Sequence, residues 1–342
     1  MLKQTKKILV TGGAGYIGSH VTLILLEKGF DVIVLDNLVN SSKESLKRIE
    51  KITKKPIKFV NGDINNYEIL TKIFKKYDIH AVMHFAGLKS VAESTREPIL
   101  YYKNNFVGTI NLIKAMHNSN INNFIFSSSA TVYGKNALPP YNENHSLGPC
   151  TNPYGNIKKN IEEFLLDYSK TNEFFKCICL RYFNPIGAHC SGLIGEDTPN
   201  EPNNLMPYIT KVAVKKLKQL SIYGSDYNTS DGTCRRDYIH VMDLAYGHIK
   251  ALKYIDKVNG IDFFNLGTGR PTSILEVIKT FEKINGVKIP YIFDSKRDGD
   301  LAEFWADPNK ANNILNWKAE KSLSDMVADS WKWQKNNPNG YS

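Results

Sequence analysis

No stretch of this chain approaches the roughly 18–20 uninterrupted apolar residues of a membrane-spanning helix, so no partnership with a membrane is expected. Cysteine is scarce: Cys150, Cys177, Cys179, Cys190 and Cys234 make five, an odd count with no CxxC pair among them. That argues against a zinc site or a dithiol motif and for reduced thiols with packing roles, so no metal is expected. Cys177 and Cys179 stand two apart in an apolar run and would face the same way on a strand. Internal repeats and low-complexity linkers are missing too. A concentrated basic run is also absent, although the formal charge is +10. The lysines are scattered along apparent helices and loops, which suits solvated surface and a mild attraction for anionic substrates rather than a nucleic-acid partner. Met1–Lys7 runs straight into an apolar strand, which leaves no room for a signal peptide and sets the expectation of a cytoplasmic protein.

What is present is a chain of 342 residues, 42% hydrophobic, long enough for a generous core. Short β-branched runs at Ile8–Thr11, Asp31–Leu35, Ile57–Val60, Ala81–Phe85, Phe124–Ser127 and Cys177–Arg181 alternate with helix-length segments of three-to-four apolar spacing. This alternation predicts an α/β fold: a doubly wound, Rossmann-type parallel sheet with crossover helices. From about Pro185 the pattern turns irregular, with helices expected near Ser273–Ile284 and Ser322–Gln334. The expected division is a cofactor-binding domain over 1–184 and a smaller C-terminal substrate-binding lobe over 185–342, with later strands free to return to the first sheet.

Ile8 to Gly18 reads as a strand, a glycine-rich turn and a helix start. Gly12 and Gly15 would let the backbone turn and approach a pyrophosphate, Gly18 would let the helix lie against the strand, and the helix N-terminus would face the phosphates. The GxxGxxG spacing points to the extended short-chain dehydrogenase version of the Rossmann fold. A second strand then ends in Asp36, whose carboxylate would accept hydrogen bonds from the adenosine ribose and repel the extra phosphate of NADP. Asp36-Asn37 therefore argues for NAD. Asp63-Ile64, past the third strand, is placed either to contact the adenine or to cap its own loop.

Tyr154 and Lys158 form a YxxxK pair, four residues apart and so on one face of a helix. Upstream, Phe126 to Gly134 follows a strand and offers Ser129 at a strand end, where doubly wound sheets hold their ligands. Oxidising a carbinol carbon requires a base for its hydroxyl proton. A phenol with a pKa near 10 needs roughly 4 kcal/mol of preferential phenolate stabilisation to act near neutrality, at about 1.36 kcal/mol per unit. Lys158 and a positive nicotinamide are the available sources, and Ser129 would hydrogen-bond the reacting oxygen.

With these motifs in place, the chain resembles the UDP-glucose 4-epimerases of the extended short-chain dehydrogenase/reductase family. The resemblance runs through GGAGYIGSH, DNLVNS, HFAGLKSVAES, FSSSATVYG, NPYGNIK, LRYFNPIGAH, NNLMPYI, RDYIHVMDLA, NLGTG and RDGD, almost from end to end. It implies that Tyr154 takes the sugar 4-hydroxyl proton while hydride passes from C4 to NAD, that the 4-keto sugar turns over, and that hydride returns to its opposite face. It further implies cofactor contacts at Gly12, Gly15, Tyr16, Ile17, Gly18, Asp36, Asn37, Asn40, Ser41, Asp63, Ile64, Phe85, Ala86, Gly87, Lys89, Asn104, Tyr154, Lys158 and Phe183. The nucleotide sugar would meet Ser129, Ala130, Thr131, Tyr182, Asn184, Asn203, Asn204, Leu205, Tyr223, Arg236, Arg297 and Asp300. Arg236 and Arg297 suit a diphosphate because a guanidinium makes several planar hydrogen bonds.

Two departures from the family pattern stand out. Cys234 and Arg235 precede Arg236-Asp237-Tyr238 where a glycine and an apolar residue are usual, which sets a second arginine beside the phosphate-binding one. Phe304 holds a place where relatives carry a bulky tyrosine or a small residue, and it should leave too little room for an N-acetylated sugar. Nucleotide-sugar 4,6-dehydratases share the fold, NAD and the YxxxK pair, but they place an Asp-Glu pair where this chain has Ala130-Thr131. A decarboxylase or uronate epimerase lacks support in the substrate-side motifs. A cofactor-binding sensor without activity would often have lost the catalytic tyrosine or lysine, and Ser129, Tyr154 and Lys158 are all present. The resemblance also implies a homodimer through paired helices, with candidates at Asn104–Met116 and Asn152–Tyr168.

Overall fold

The computed structural model describes residues 6–197, 202, 204–297 and 299–342. Along the chain run β1 (Lys7–Thr11), β2 (Asp31–Asp36), β3 (Lys58–Asn61), β4 (Ile79–His84), β5 (Asn123–Ser129), β6 (Lys176–Tyr182), β7 (Asn184–Ile186), β8 (Leu220–Tyr223) and β9 (Arg235–His240). After these come β10 (Gly260–Leu266), β11 (Pro271–Ser273), β12 (Tyr291–Asp294) and β13 (Glu303–Phe304).

The chain divides into two compact units. The first takes the chain to Gly134, Leu147–Arg181 and Ala245–Phe264. Its sheet has seven strands in the order β10-β6-β5-β4-β1-β2-β3, a parallel, doubly wound arrangement. The six strands expected from the sequence are all in it, and β10 is the later segment that returns to it. Ile8, Leu9 and Val10 of β1 are fully buried, as in a sheet covered on both faces. One face packs Leu9, Ile33, Val82, Phe124 and Phe126 against Leu112, Met116, Ile157 and Ile161 of the covering helices. Strand order reverses between β1 and β4, and the crevice beyond the carboxyl ends at such a point is where these sheets bind ligands. The helix Pro153–Thr171 starts where Asn152 accepts a hydrogen bond from the Gly155 N–H at 2.8 Å, with Pro153 pre-set for the first turn.

The second unit comprises Lys135–Ser146, Tyr182–Leu244 and Asn265–Ser342. Its centre is β9, antiparallel to β11 and parallel to β13 and β7, while β12 pairs with β8 in parallel. The two helices expected here are found as Ile274–Asn285 and Leu323–Asn336, capped by Ser273 and Ser322, the latter in a capping box with Asp325. They pack with the helix Leu205–Ala213 through Ile209, Val277, Phe281, Met326 and Val327. Among the described residues no helix is long and apolar enough to cross a membrane.

Candidate active site

The glycine turn is built for close backbone approach. Gly12 has φ 71°, in the left-handed region that favours glycine, and its N–H donates to Leu35 O at 2.8 Å. A Cβ on Gly12 would lie 2.5 Å from the Ala86 nitrogen, and one on Gly18 would lie 2.2 Å from Gly12 O. Side chains are thus excluded at both positions. Gly15 precedes the helix Tyr16–Glu27, which has no side-chain cap and no acidic residue in its first turn. Its first N–H groups are therefore left for an anion. Asp36, at the end of β2, accepts hydrogen bonds from Ala14 N at 3.0 Å, Leu38 N at 2.9 Å and Ser41 Oγ at 2.8 Å. An uncapped helix start, a glycine-rich turn and an oriented carboxylate one strand over fit a dinucleotide.

The remaining expected cofactor residues line the same strand ends. Asp63 accepts from Asn37 Nδ2 at 3.0 Å and Asn65 N at 2.7 Å, bonds that brace its own loop. These bonds hold its carboxyl below the usual range although burial acts to raise it. Ile64 is buried against Gly108. Beyond β4, Phe85 packs on His248, Ala86 abuts Gly12, and the Gly87 carbonyl lies 3.5 Å from Asn40 Nδ2. The Lys89 ammonium stands 6.0 Å from the centre of the Tyr16 ring, and Ile17 follows Tyr16 in the first helical turn. Asn104 donates to Asn105 Oδ1 at 2.8 Å. Asn105, which the sequence reading passed over, accepts from Leu88 N at 2.8 Å and donates to Leu88 O at 2.9 Å. It pins this loop from a wide π turn over Tyr102–Val107, a local feature no periodicity signals.

Ser129, Tyr154 and Lys158 converge. Ser129 ends β5 and caps the turn Ala130–Tyr133, accepting from Thr131 N at 3.3 Å and Thr131 Oγ1 at 3.0 Å. Ala130 is buried beside it. Tyr154 is anchored through its N–H to Ser94 Oγ at 3.2 Å. Burial pushes its phenol up to about 12, against a hydrogen bond from the Ser129 side chain that pulls it down. Lys158 donates to Ser127 O at 2.7 Å and lies 4.7 Å from the Phe126 ring centre and 5.8 Å from that of Tyr154. Burial brings its ammonium down to about 8, while Glu162 opposes that shift. Lys158 thus stands beside the phenol that the Ser129 side chain pulls down. Behind this trio His84 bridges Thr11 Oγ1 at 2.6 Å and Thr109 Oγ1 at 2.9 Å. Burial, aided by the Lys158 charge, brings the imidazole down to about 3.

The residues expected to meet the nucleotide sugar divide between the units. Ser129, Ala130 and Thr131 lie in the first. In the second, Tyr182 is buried beside Phe183, which was expected as a cofactor contact, Asn184 opens β7, and Asn204 precedes Leu205 at the start of its helix without a side-chain capping bond. Asn203 lies outside the described residues. Asp300 stands between two arginines, with Arg236 Nη2 3.5 Å from Oδ1 and Arg297 Nε 3.2 Å from Oδ2. Arg236 also donates to Leu301 O at 2.8 Å, and the Arg297 guanidinium lies 4.5 Å from the Tyr223 ring centre. Arg235 turns elsewhere, to Glu303 at 2.7 Å and Pro271 O at 3.0 Å, which separates the two neighbouring arginines. The Phe304 ring packs on Tyr141 and Phe183, at 4.7 and 5.4 Å between centres.

Asp237, within the RDYIHVMDLA segment, has a structural role that its sequence position alone does not announce. Fully buried on β9, it accepts from Thr268 N at 2.8 Å, Thr268 Oγ1 at 2.6 Å, Gly269 N at 3.0 Å and Ala306 N at 3.1 Å. It thereby ties the NLGTG loop to the strand that carries Arg236. A carboxylate inside an otherwise buried strand was the available signal.

The sequence model of the family described as GDP-mannose 4,6 dehydratase matches residues 9–330. The chain is 52% identical over 333 residues to the UDP-glucose 4-epimerase of Erwinia amylovora, covering 97% of this chain and 99% of that protein. It is 53% identical over 334 residues to that of Pasteurella multocida, covering 98% and 99%. Its structure is similar to that of the Bifidobacterium longum UDP-glucose 4-epimerase in complex with NAD+ and UDP, with a TM-score of 0.95, 49% identity, and 98% and 100% of the two chains covered.

Proposed function

The chain belongs to the extended short-chain dehydrogenase family of UDP-glucose 4-epimerases, and from that premise we propose that it interconverts UDP-glucose and UDP-galactose by transient NAD-dependent oxidation at sugar carbon 4. When bound, NAD accepts and returns the hydride, and its positive nicotinamide favours the phenolate. The chain's own part is proton handling and positioning. Tyr154 takes the 4-hydroxyl proton and later gives it back, Ser129 hydrogen-bonds the same oxygen, and Lys158 supplies positive charge beside the phenol. The observation that carries the reading is the meeting of Ser129, Tyr154 and Lys158 at the end of β5.

The 4-keto sugar has to turn over before it is reduced from its opposite face, so the nucleotide must be held while the hexose stays loose. Arg236 and Arg297, oriented by Asp300, suit a diphosphate anchor. Ala130 and Thr131 supply no acid or base for dehydration, and the Thr131 hydroxyl is already given to Ser129. The Phe304 ring favours UDP-glucose and UDP-galactose over their N-acetylated counterparts. The assembly in this reading is a homodimer, supported by exposed apolar side chains at Ile99, Leu100, Val107 and Leu166 on or next to the helices expected to pair. A cytoplasmic setting fits the free cysteines, among them Cys177 and Cys179, whose thiols share a hydrogen bond at 3.9 Å rather than a disulfide.

The test is to incubate the purified protein, without added cofactor, with UDP-galactose and separately with UDP-N-acetylgalactosamine, and to resolve the products. UDP-glucose from the first and little product from the second is the expected result. Conversion of both would refute the Phe304 argument alone. Conversion of neither, even after adding NAD, would overturn the epimerase reading.

A further inference from the structure

We propose that Glu162 is a positioning residue for Ser129 and Lys158, a buried carboxylate that ties the strand end carrying the serine to the helix carrying the Tyr154–Lys158 pair. The inference rests on the epimerase reading above. Glu162 is 1% exposed and lies one turn beyond Lys158 on the same helix face. Its Oε1 accepts from Ser128 Oγ at 2.5 Å. Arg181 on β6 grips both of its oxygens, Nε to Oε1 at 3.1 Å and Nη2 to Oε2 at 2.7 Å, and donates from Nη1 to the Tyr133 hydroxyl at 3.0 Å. Ser128 immediately precedes Ser129, and Tyr133 closes the turn that Ser129 caps. One ion pair therefore holds the backbone on both sides of the reacting serine.

A buried ion pair gains little stability over apolar residues of the same volume, so stability alone gives no reason for charge at this spot. The arrangement around Lys158 does. Its ammonium faces Tyr154 and Glu162 from its own helix, His84 from β4, Phe126 and the Ser127 carbonyl from β5, and Cys179 from β6. His84 is neutral above about pH 3, and burial keeps the Cys179 thiol protonated. Glu162 is thus the charged neighbour that opposes burial and keeps Lys158 cationic, with Arg181 on its far side holding the carboxylate in place.

The experiment compares wild type with Glu162→Gln, Glu162→Asp and Ser128→Ala, reading the pH profile of kcat with UDP-galactose, KM and the bound NAD content. Glu162→Gln should keep its NAD and lose about tenfold in kcat with KM within about threefold. Its basic limb should move down by about one pH unit, because Lys158 releases its proton more readily without the carboxylate. Glu162→Asp should return the limb towards its wild-type place. Ser128→Ala, which keeps every charge, should lower kcat about fivefold and leave the profile where it is. A Glu162→Gln profile superimposable on wild type, or a Ser128→Ala kcat within about twofold of it, overturns the proposal. Should Glu162→Gln fail to fold, Ser128→Ala decides alone. A wild type without turnover would defeat the epimerase reading instead, which keeps the two failures distinct.

Discussion

Tyr154 comes from a helix and Ser129 from a strand end, and the Ser129 side chain is the neighbour that pulls the buried Tyr154 phenol down. That pull opposes the burial that lifts the phenol to about 12, so further positive charge beside the ring is needed before Tyr154 can take a proton near neutrality. Replacing Tyr154 with Phe keeps the ring and removes the base. Turnover of UDP-galactose should fall by about 100- to 10,000-fold, the usual reach of general acid–base catalysis, while bound NAD is retained. Steady-state kinetics beside the cofactor content of the purified variant checks this, and unchanged turnover would remove Tyr154 from the mechanism.

Asp36 holds Ala14, Leu38 and Ser41 and still presents a carboxylate at the end of β2. Hydrogen bonds to a charged group contribute about 1.5–3 kcal/mol. Asp36→Ala should therefore weaken NAD binding by about 10- to 100-fold, measured by calorimetry on cofactor-stripped protein. Asp36→Asn, which keeps hydrogen-bonding capacity and drops the charge, should narrow the preference for NAD over NADP. An NADP affinity that does not change would count against electrostatic discrimination.

Phe304 packs on Tyr141 and Phe183, so its ring is held rather than free to swing aside. Phe304→Ser should raise kcat/KM for UDP-N-acetylgalactosamine by at least about tenfold, since it removes steric exclusion as well as apolar contact. Phe304→Tyr should leave the ratio for the two sugars nearly unchanged. A competition assay with both nucleotide sugars reads this directly.

His84 links β1 to the helix behind it while buried and neutral, with its proton affinity brought from 6.5 to about 3. The unfolded chain binds a proton here that the folded chain refuses, so the folded state loses stability as pH falls below 6.5 towards 3. At pH 5 this one group accounts for about 2 kcal/mol, from about 1.36 kcal/mol per unit. His84→Asn should be less stable than wild type at pH 7 through its lost hydrogen bonds, yet lose less on going from pH 7 to pH 5. Urea unfolding at the two pH values tests the difference in slope, and equal slopes would refute it.

Legibility in the sequence followed the range of the interactions. The six strand runs, the glycine turn, Asp36 and the Tyr154–Lys158 pair were readable because each depends on a local period or a fixed spacing. Arg236 and Arg235 stand side by side and look alike in sequence. The motif singles out Arg236, and the partners brought from beyond residue 299, Asp300 for Arg236 and Glu303 for Arg235, give the physical difference between them. Asn105 was silent because the π turn that aims it has no sequence period.

By itself, then, the sequence determined the doubly wound sheet, the turn at Gly12–Gly18 and the family, since these are written in residue types at short separations. Tertiary structure alone decided that Glu162, Arg181, Ser128 and Tyr133 form one buried network, and that Asp237 ties the NLGTG loop to β9. A charged residue in a sequence carries no record of its partner. It becomes legible when folding removes water and leaves each buried charge in need of one.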